Sequence, residues 1–191
     1  MKQFLVLCEL LLLFVVVGCG PVLLAGGAAA GYKAATDERS IGQMWNDSTI
    51  TTNVKSALVK DPNVNALSVD VDTLEGVVIL TGVIETEDSA KRAVEIAQKM
   101  PGVRKVKNNL QVGQKTWGQA LDDKVIGSKI KAKLINEPGI RSFNIDVDVN
   151  NGIVTLTGLV EYRHQKNRAI EIARTTSGTL KVIDNLKARN P

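Results

Sequence analysis

The residues that could support acid–base or metal chemistry are few and regularly spaced. Asp70 and Asp72 alternate along one predicted strand, and Asp146 and Asp148 alternate in the same way 76 residues later. Alternate residues of a strand face the same side, so each pair could serve as calcium ligands or as an acid and a base. Two carboxylates per strand, without further acidic neighbours, are weak support for either role. We therefore expect neither catalytic residues nor a metal site at these positions.

Histidine and cysteine chemistry is limited in the same way. His164 is the only histidine, and Cys8 and Cys19 are the only cysteines. If the cysteines are consumed at the N terminus, a metal site or a Cys–His or Ser–His arrangement has too few members. The glycines are also too far apart for a phosphate-binding loop. These features favour a protein that is not an enzyme and that needs no cofactor.

Residues 1–18 have the pattern of an export signal. Lys2 precedes the largely apolar segment Phe4–Val17, and the small residue Gly18 precedes Cys19. The segment Val16-Val17-Gly18-Cys19 is similar to a bacterial lipobox, in which cleavage before the cysteine leaves its thiol to carry a diacylglycerol thioether. Cys19 is therefore the predicted site of lipid attachment, by acyl chains such as palmitate.

An uncleaved transmembrane helix that continues to Ala30 is the alternative. Glu9 within the apolar segment and Gly20-Pro21 in its middle are both unfavourable in a spanning helix. If Cys19 is acylated, Gly20 rather than aspartate after it favours the outer membrane, with the protein facing the periplasm. Residues 19–45 would then form a lipidated tether and lead-in.

The elements that must position any functional side chain occur twice. The segment 76–82, Gly-Val-Val-Ile-Leu-Thr-Gly, returns as Gly-Ile-Val-Thr-Leu-Thr-Gly at 152–158, and the same offset aligns the two copies without a gap. Each copy spans about 65 residues, which is near the lower size at which a domain folds alone. The sequence therefore predicts two domains, at 46–113 and 122–191, joined by a linker at 114–121.

Each copy has the pattern helix–strand–strand–helix–strand. In the first copy, Asp47-Ser48 is predicted to cap a helix that ends at Asp61-Pro62. The alternating segment Val69-Asp70-Val71-Asp72 predicts a strand with one solvated face, and Gly76 lies in the turn to the next strand. Gly82 and Gly158 are expected to permit a close backbone approach or a bend at a strand end. The predicted fold is α+β, with two helices on one face of a three-stranded mixed sheet in each domain.

Together these segments resemble the BON domain family. The resemblance rests on the D-V-D strand, the G-x-V-x-L-T-G turn and strand, the A-x-x-I-A helix and the V-x-x-N-L strand, each present in both copies. It implies a non-enzymatic envelope protein that binds an anionic phospholipid membrane and supports outer-membrane integrity. The outer-membrane assembly machinery is a further partner it suggests. The alternative function is a stress-related periplasmic module that binds proteins or acts as a chaperone. Nucleic-acid binding is disfavoured by the export signal.

Charge distinguishes the second copy from the first. Residues 47–112 contain 8 Lys/Arg and 9 Asp/Glu, a net charge of −1, whereas residues 120–191 contain 12 and 8, a net charge of +4. An anionic partner is therefore expected for the second copy. The excess falls on the predicted helix Asp122–Ile135, the element that faces lipid in the family. Its cations are Lys124, Lys129, Lys131 and Lys133. An ordinary solvated helix face is the alternative explanation.

An aromatic side chain near the start of this helix faces lipid in one member of the family, at the position of Val125 here. Trp117 could substitute for it, because tryptophan favours the membrane interface. Packing of Trp117 between the two domains is the alternative. The predicted phospholipid-binding residues are thus Trp117, Val125 and the four lysines. Each lysine near an anionic surface contributes about 1 kcal/mol, so the contact would be weak and reversible.

Overall fold

The computed structural model describes residues 41–190. The predicted export signal, Cys19 and most of the predicted tether lie outside these residues. Residues 41–190 belong to one compact unit that contains the same fold twice. Within this part of the chain, no helix has the length and apolarity needed to cross a bilayer.

The first domain consists of α1 (Ile41–Lys60), β1 (Val69–Leu74), β2 (Val77–Ile84), α2 (Glu87–Gln98) and β3 (Lys105–Val112). Strand β2 is central and pairs antiparallel with β1 and parallel with β3. A parallel pair needs a crossover, which α2 provides. Both helices pack on one face of the sheet, around a core that includes Ile50, Val54, Leu58, Val78, Leu80, Ala93 and Ala97.

The second domain consists of α3 (Trp117–Asn136), β4 (Ile145–Asn150), β5 (Ile153–Tyr162), α4 (Arg163–Arg174) and β6 (Lys181–Asn190). Its strand order and pairing repeat those of the first domain. The core includes Ile126, Ile130, Leu134, Val154, Leu156, Ala169 and Ala173. The predicted architecture, two helices on a three-stranded mixed sheet in each domain, is therefore confirmed.

The first helix of each domain begins earlier than predicted. Helix α1 begins at Ile41, so Asp47 is a buried residue within the helix and not its N-cap. Helix α3 begins at Trp117 and not at Asp122, because Thr116 and Gln119 form a capping box there. Part of the segment predicted as a linker is therefore helical.

The solvated face predicted for β1 is found at Asp70, which is exposed, but it does not extend to the central strands of the two sheets. Ile79 and Thr81 of β2, and Thr157 and Leu159 of β5, point away from the helices of their own domains and are nevertheless buried. Ile79, Leu159 and Leu74 form an apolar cluster of their own. The two sheets therefore pack face to face, and the layers run helices, sheet, sheet, helices.

The expected close approach at the strand glycines is confirmed. Gly82 has φ 130°, and a Cβ there would overlap the carbonyl oxygen of Ser68. Gly158 has φ 151°, and a Cβ there would overlap the carbonyl oxygen of Asn144. Both glycines are explained by folding and need no ligand.

Candidate functional site: the outward face of helix α3

Helix α3 has two apolar faces. Ile126, Ile130 and Leu134 are buried in the core of the second domain. The opposite side carries residues three and four positions apart that face solvent, which we call the outward stripe: Trp117, Leu121, Val125, Ser128, Ala132 and Ile135. Trp117 is 89% exposed, Leu121 62% and Ile135 61%. A row of exposed large apolar side chains is typical of a surface that binds a partner or a membrane.

Lysines flank the outward stripe. At about 3.6 residues per turn, Lys124 and Lys131 lie on one side of it and Lys129 on the other. Lys131 Nζ is 3.6 Å from Asp146 Oδ1, and Lys133 Nζ donates a hydrogen bond of 3.0 Å to Thr176 Oγ1. Within residues 41–190, Lys124 and Lys129 have no acidic partner. These two cations are therefore the most available to an anion.

The first helix of the first domain lacks this surface in its middle part. Thr49, Thr52 and Ser56 of α1 occupy the positions that correspond to Val125, Ser128 and Ala132 of the outward stripe. All three are exposed and polar. The two first helices therefore differ in the middle of this face, whereas Ile41, Trp45 and Val59 of α1 occupy the positions that correspond to Trp117, Leu121 and Ile135.

Trp117 does not pack between the two domains. It is the first residue of α3 and is exposed, at the end of the outward stripe. Val125, predicted to stand where the family has an aromatic residue, lies in the same stripe and is 51% exposed. The structure thus brings Trp117 and Val125 together on one face, with Leu121, which the sequence reading missed, between them.

One of the residues that hold α3 in place is Asp123, a buried residue that sequence reasoning also missed. Its carboxylate accepts hydrogen bonds from the backbone N–H groups of Asn151 and Gly152, each 2.8 Å long, and lies 2.6 Å from Lys115 Nζ. Burial acts against the charged form, but the Lys115 ammonium and the two amides outweigh it, so the pKa of Asp123 is lower than usual. Asp123 therefore ties α3 to the β4–β5 turn.

Asp47 makes the equivalent contact in the first domain. Its carboxylate accepts hydrogen bonds of 2.9 Å from the backbone N–H groups of Glu75 and Gly76. These turn residues have φ 51° and 74°, and the equivalent Asn151 and Gly152 have φ 50° and 73°. The sequence contained a sign of this contact with the turn, because Asp47 and Asp123 occupy equivalent positions of the two copies.

The β4–β5 turn also contacts the first domain. Gln111 Nε2 of β3 donates to the Asn150 carbonyl oxygen at 2.8 Å, and Asn151 Nδ2 donates to Gln111 Oε1 at 3.2 Å. Lys115 Nζ donates to Asn150 Oδ1 at 3.2 Å. Helix α3 is thus anchored, through one turn, to both domains.

The sequence matches the BON domain family over residues 46–114 and again over 122–190. The chain belongs to the BON domain family. The two matches coincide with the two copies of the fold, so each copy is one BON domain.

Relatives with two-thirds or more of their length aligned support this assignment. The chain is 33% identical to the outer membrane lipoprotein DolP of Haemophilus influenzae, over 89% of this chain and 88% of that protein. It is 33% identical to osmotically-inducible protein Y of Escherichia coli, over 84% of this chain and 82% of that protein. It is 30% identical to a 21 kDa hemolysin of Actinobacillus pleuropneumoniae, over 80% of this chain and 79% of that protein. The chain is a dual-BON protein similar to DolP and to osmotically-inducible protein Y.

The aspartates considered for metal or acid–base chemistry lie where the two BON domains meet. Asp70 and Asp146 are exposed, whereas Asp72 and Asp148 are partly buried and are hydrogen-bonded to each other across the sheets. The described residues include no group of three or more His, Cys, Asp or Glu side chains arranged to hold a metal ion. His164 is exposed and stacks on Tyr162, with 5.5 Å between the ring centroids.

Proposed function

We propose that this dual-BON protein is a lipid-anchored envelope protein that binds anionic phospholipid through α3 and thereby supports outer-membrane integrity. The observation that carries the proposal is the outward stripe of α3, which is apolar at its large side chains and is flanked by Lys124 and Lys129. The name of the relative DolP, an outer membrane lipoprotein, supports the location. The chemistry proposed is binding and not catalysis.

The geometry suits a helix that lies in the membrane interface. Such helices insert an apolar face between lipid head groups and keep cations at the level of the anionic phosphates. Complete burial of a Leu, Ile or Val side chain contributes about 1.5–3 kcal/mol, and shallow insertion contributes part of that. Each lysine adds about 1 kcal/mol at an anionic surface. The sum is enough for a reversible contact.

A lipid on Cys19 would convert this weak contact into a lasting one. Tethering raises the effective concentration of α3 at the membrane without any new contact. The proposed location is the inner leaflet of the outer membrane, facing the periplasm. The anchor and α3 then have separate roles, because the anchor holds the protein at the membrane and α3 determines which lipids the second domain touches.

Vesicle flotation tests the proposal on a chain carrying Cys19→Ser, which removes the anchor. We expect this chain to float with vesicles that contain phosphatidylglycerol and to stay in solution with phosphatidylcholine alone. Leu121→Ser should lower the vesicle-binding constant about tenfold, since it removes about 1.4 kcal/mol of apolar contact. Val59→Ser is the matched control, because Val59 is an exposed apolar residue of α1 (70% exposed) and should leave flotation unchanged.

Equal flotation with both lipids, or none with either, would exclude anionic lipid recognition by α3. If the anchor-free chain ignores phosphatidylglycerol at low salt while Leu121→Ser still impairs envelope integrity in cells, the outward stripe binds a protein. The alternative of a protein-interaction module would then be preferred.

A further inference from the structure

Two of the four interdomain carboxylates are neutralised by a lysine of their own domain. Lys55 Nζ of α1 is 3.3 Å from Asp70 Oδ1, and Lys131 Nζ of α3 is 3.6 Å from Asp146 Oδ1. The two contacts are equivalent, since both residues of each pair are one repeat apart. Asp70 and Asp146 each have a cationic partner within their own domain.

Among residues 41–190, the inner pair has no such cation. Asp72 of β1 and Asp148 of β4 hydrogen-bond to each other across the two sheets, and Thr81 Oγ1 of β2 donates to Asp148 Oδ2 at 3.3 Å. A direct bond between two carboxyl groups requires a proton between them. Two charged carboxylates in direct contact would repel each other strongly in a partly desolvated site.

The remaining charged groups on these sheet faces are engaged elsewhere or lie at the edges. Lys107 of β3 donates to Asn185 Oδ1 at 2.8 Å, and Lys187 of β6 pairs with Glu75. Lys105 and Lys181, at the start of the third strands, are exposed. The described elements packed around Asp72 and Asp148 therefore supply Asp70, Asp146 and their lysines, but no cation for the inner pair.

The pKa values have the direction that this arrangement requires. Burial, and then the negative charge of Asp146, raise the pKa of Asp72 to about 8 and that of Asp148 to about 6. The two carboxyls therefore share a proton, which either oxygen of the contact can carry. The pair holds one proton at neutral pH.

The rest of the interface combines a small apolar cluster with polar contacts. The apolar cluster consists of Leu74, Ile79 and Leu159, with Val77 packed against it, and the polar contacts include those of Gln111 with Asn150 and of Lys107 with Asn185. Among the described residues, Thr157 Oγ1 and the Nδ2 atoms of Asn109 and Asn185 are buried without a hydrogen-bond partner. Unpaired buried polar atoms weaken a contact. The shared proton therefore adds to a contact that these unpaired atoms weaken.

We propose that the contact between the two BON domains is a proton-dependent latch, closed while Asp72 and Asp148 share a proton across the two sheets and loosened when that proton is lost. The closed form binds one proton more than an open form, in which both carboxyls are solvated. The ratio of closed to open protein therefore falls about tenfold for each pH unit from 6 to 8 and levels off above 8. This latch does not depend on the proposed lipid function.

Energy transfer between two fluorophores measures the latch in the full chain. The labels are placed on Lys91→Cys of α2 and Asn167→Cys of α4, exposed positions one repeat apart on opposite outer layers, with Cys8 and Cys19 replaced by serine. We expect transfer to fall as pH rises from 6 to 8. Asp72→Asn keeps a hydrogen-bond donor without a titrating proton, so transfer should stay high across this range. Asp70→Asn, the same change on the same strand, should retain the pH response of the parent.

Constant transfer in the parent from pH 6 to 9, or the same pH response in Asp72→Asn as in the parent, would overturn the latch. Circular dichroism establishes that each variant is folded. If Asp72→Asn does not fold, the pH titration of the ¹³C carboxyl resonance of Asp72 in the parent decides whether the pair shares a proton. A midpoint above pH 6 supports the shared proton, and a midpoint near 4 refutes it.

Discussion

Replacement of Asp123 by alanine should destabilise the second BON domain severely. The substitution removes two hydrogen bonds of 2.8 Å to the amides of Asn151 and Gly152 and the contact of 2.6 Å with Lys115. Loss of one partner of a buried ion pair costs about 3–5 kcal/mol, because the remaining charge and donors stay buried without a partner. We expect a loss within that range. It is a large fraction of the ~5–15 kcal/mol that stabilises a typical domain.

Urea unfolding, followed by circular dichroism, provides the measurement. The neighbouring substitution Asp122→Ala is the control, because Asp122 is exposed and its loss should change the unfolding free energy by less than about 0.5 kcal/mol. Asp123→Asn keeps one acceptor oxygen and should fall between the two. Lys115→Met in the Asp123→Ala background should recover part of the loss, because it removes the unpaired cation.

The pH dependence provides a second check on Asp123. Its pKa in the folded protein lies below the usual 3.8, so its stabilisation is fully present above about pH 4 and is lost as pH falls through the folded-state pKa. The difference between the parent and Asp123→Ala should therefore be constant at neutral pH and shrink in acid. A loss below about 1 kcal/mol at pH 7 would refute the proposal that Asp123 helps to hold α3 in place.

Two further predictions concern the membrane face and the strand glycines. Lys129→Glu should weaken the vesicle-binding free energy of the anchor-free chain by about 2 kcal/mol at low salt, and by less at high salt, because it replaces an attraction with a repulsion. Lys60→Glu on α1 is the control and should leave binding unchanged. Equal effects of the two substitutions would show that only net charge matters. Gly158→Ala should unfold the second domain in thermal melts, since its Cβ would overlap the Asn144 carbonyl oxygen at φ 151°. A native-like melting curve for Gly158→Ala would contradict that geometry.

The repeat made the fold predictable from sequence. Because the offset between the copies never changes, each turn and strand is predicted twice from independent segments. The close backbone approach predicted at Gly82 and Gly158 is found at both positions. The prediction that Asp47 is an N-cap is wrong. A polar residue before an apolar stripe has the pattern of an N-cap, but the Asp47 carboxylate accepts hydrogen bonds from the turn amides of Glu75 and Gly76, which are distant in sequence.

The candidate site was predictable only in part. The excess of lysine on α3 is visible from composition. The outward stripe is not, because its first residues, Trp117 and Leu121, lie in the segment 114–121 that is predicted to be a linker. The capping box of Thr116 and Gln119, which begins the helix, was present in the sequence. The contact between Asp72 and Asp148 could not be found in this way, because it depends on how two separately folded sheets pack.

The position of helix α3 at a membrane tests the central claim most directly. A nitroxide on Ser128→Cys, at the centre of the outward stripe, is compared with one on Thr52→Cys, the equivalent exposed position of α1. On addition of phosphatidylglycerol vesicles, we expect the label at 128 to become more accessible to dissolved oxygen and less accessible to a water-soluble nickel complex. The label at 52 should be unchanged. Water-like accessibility at both positions in the presence of these vesicles would contradict membrane binding by α3.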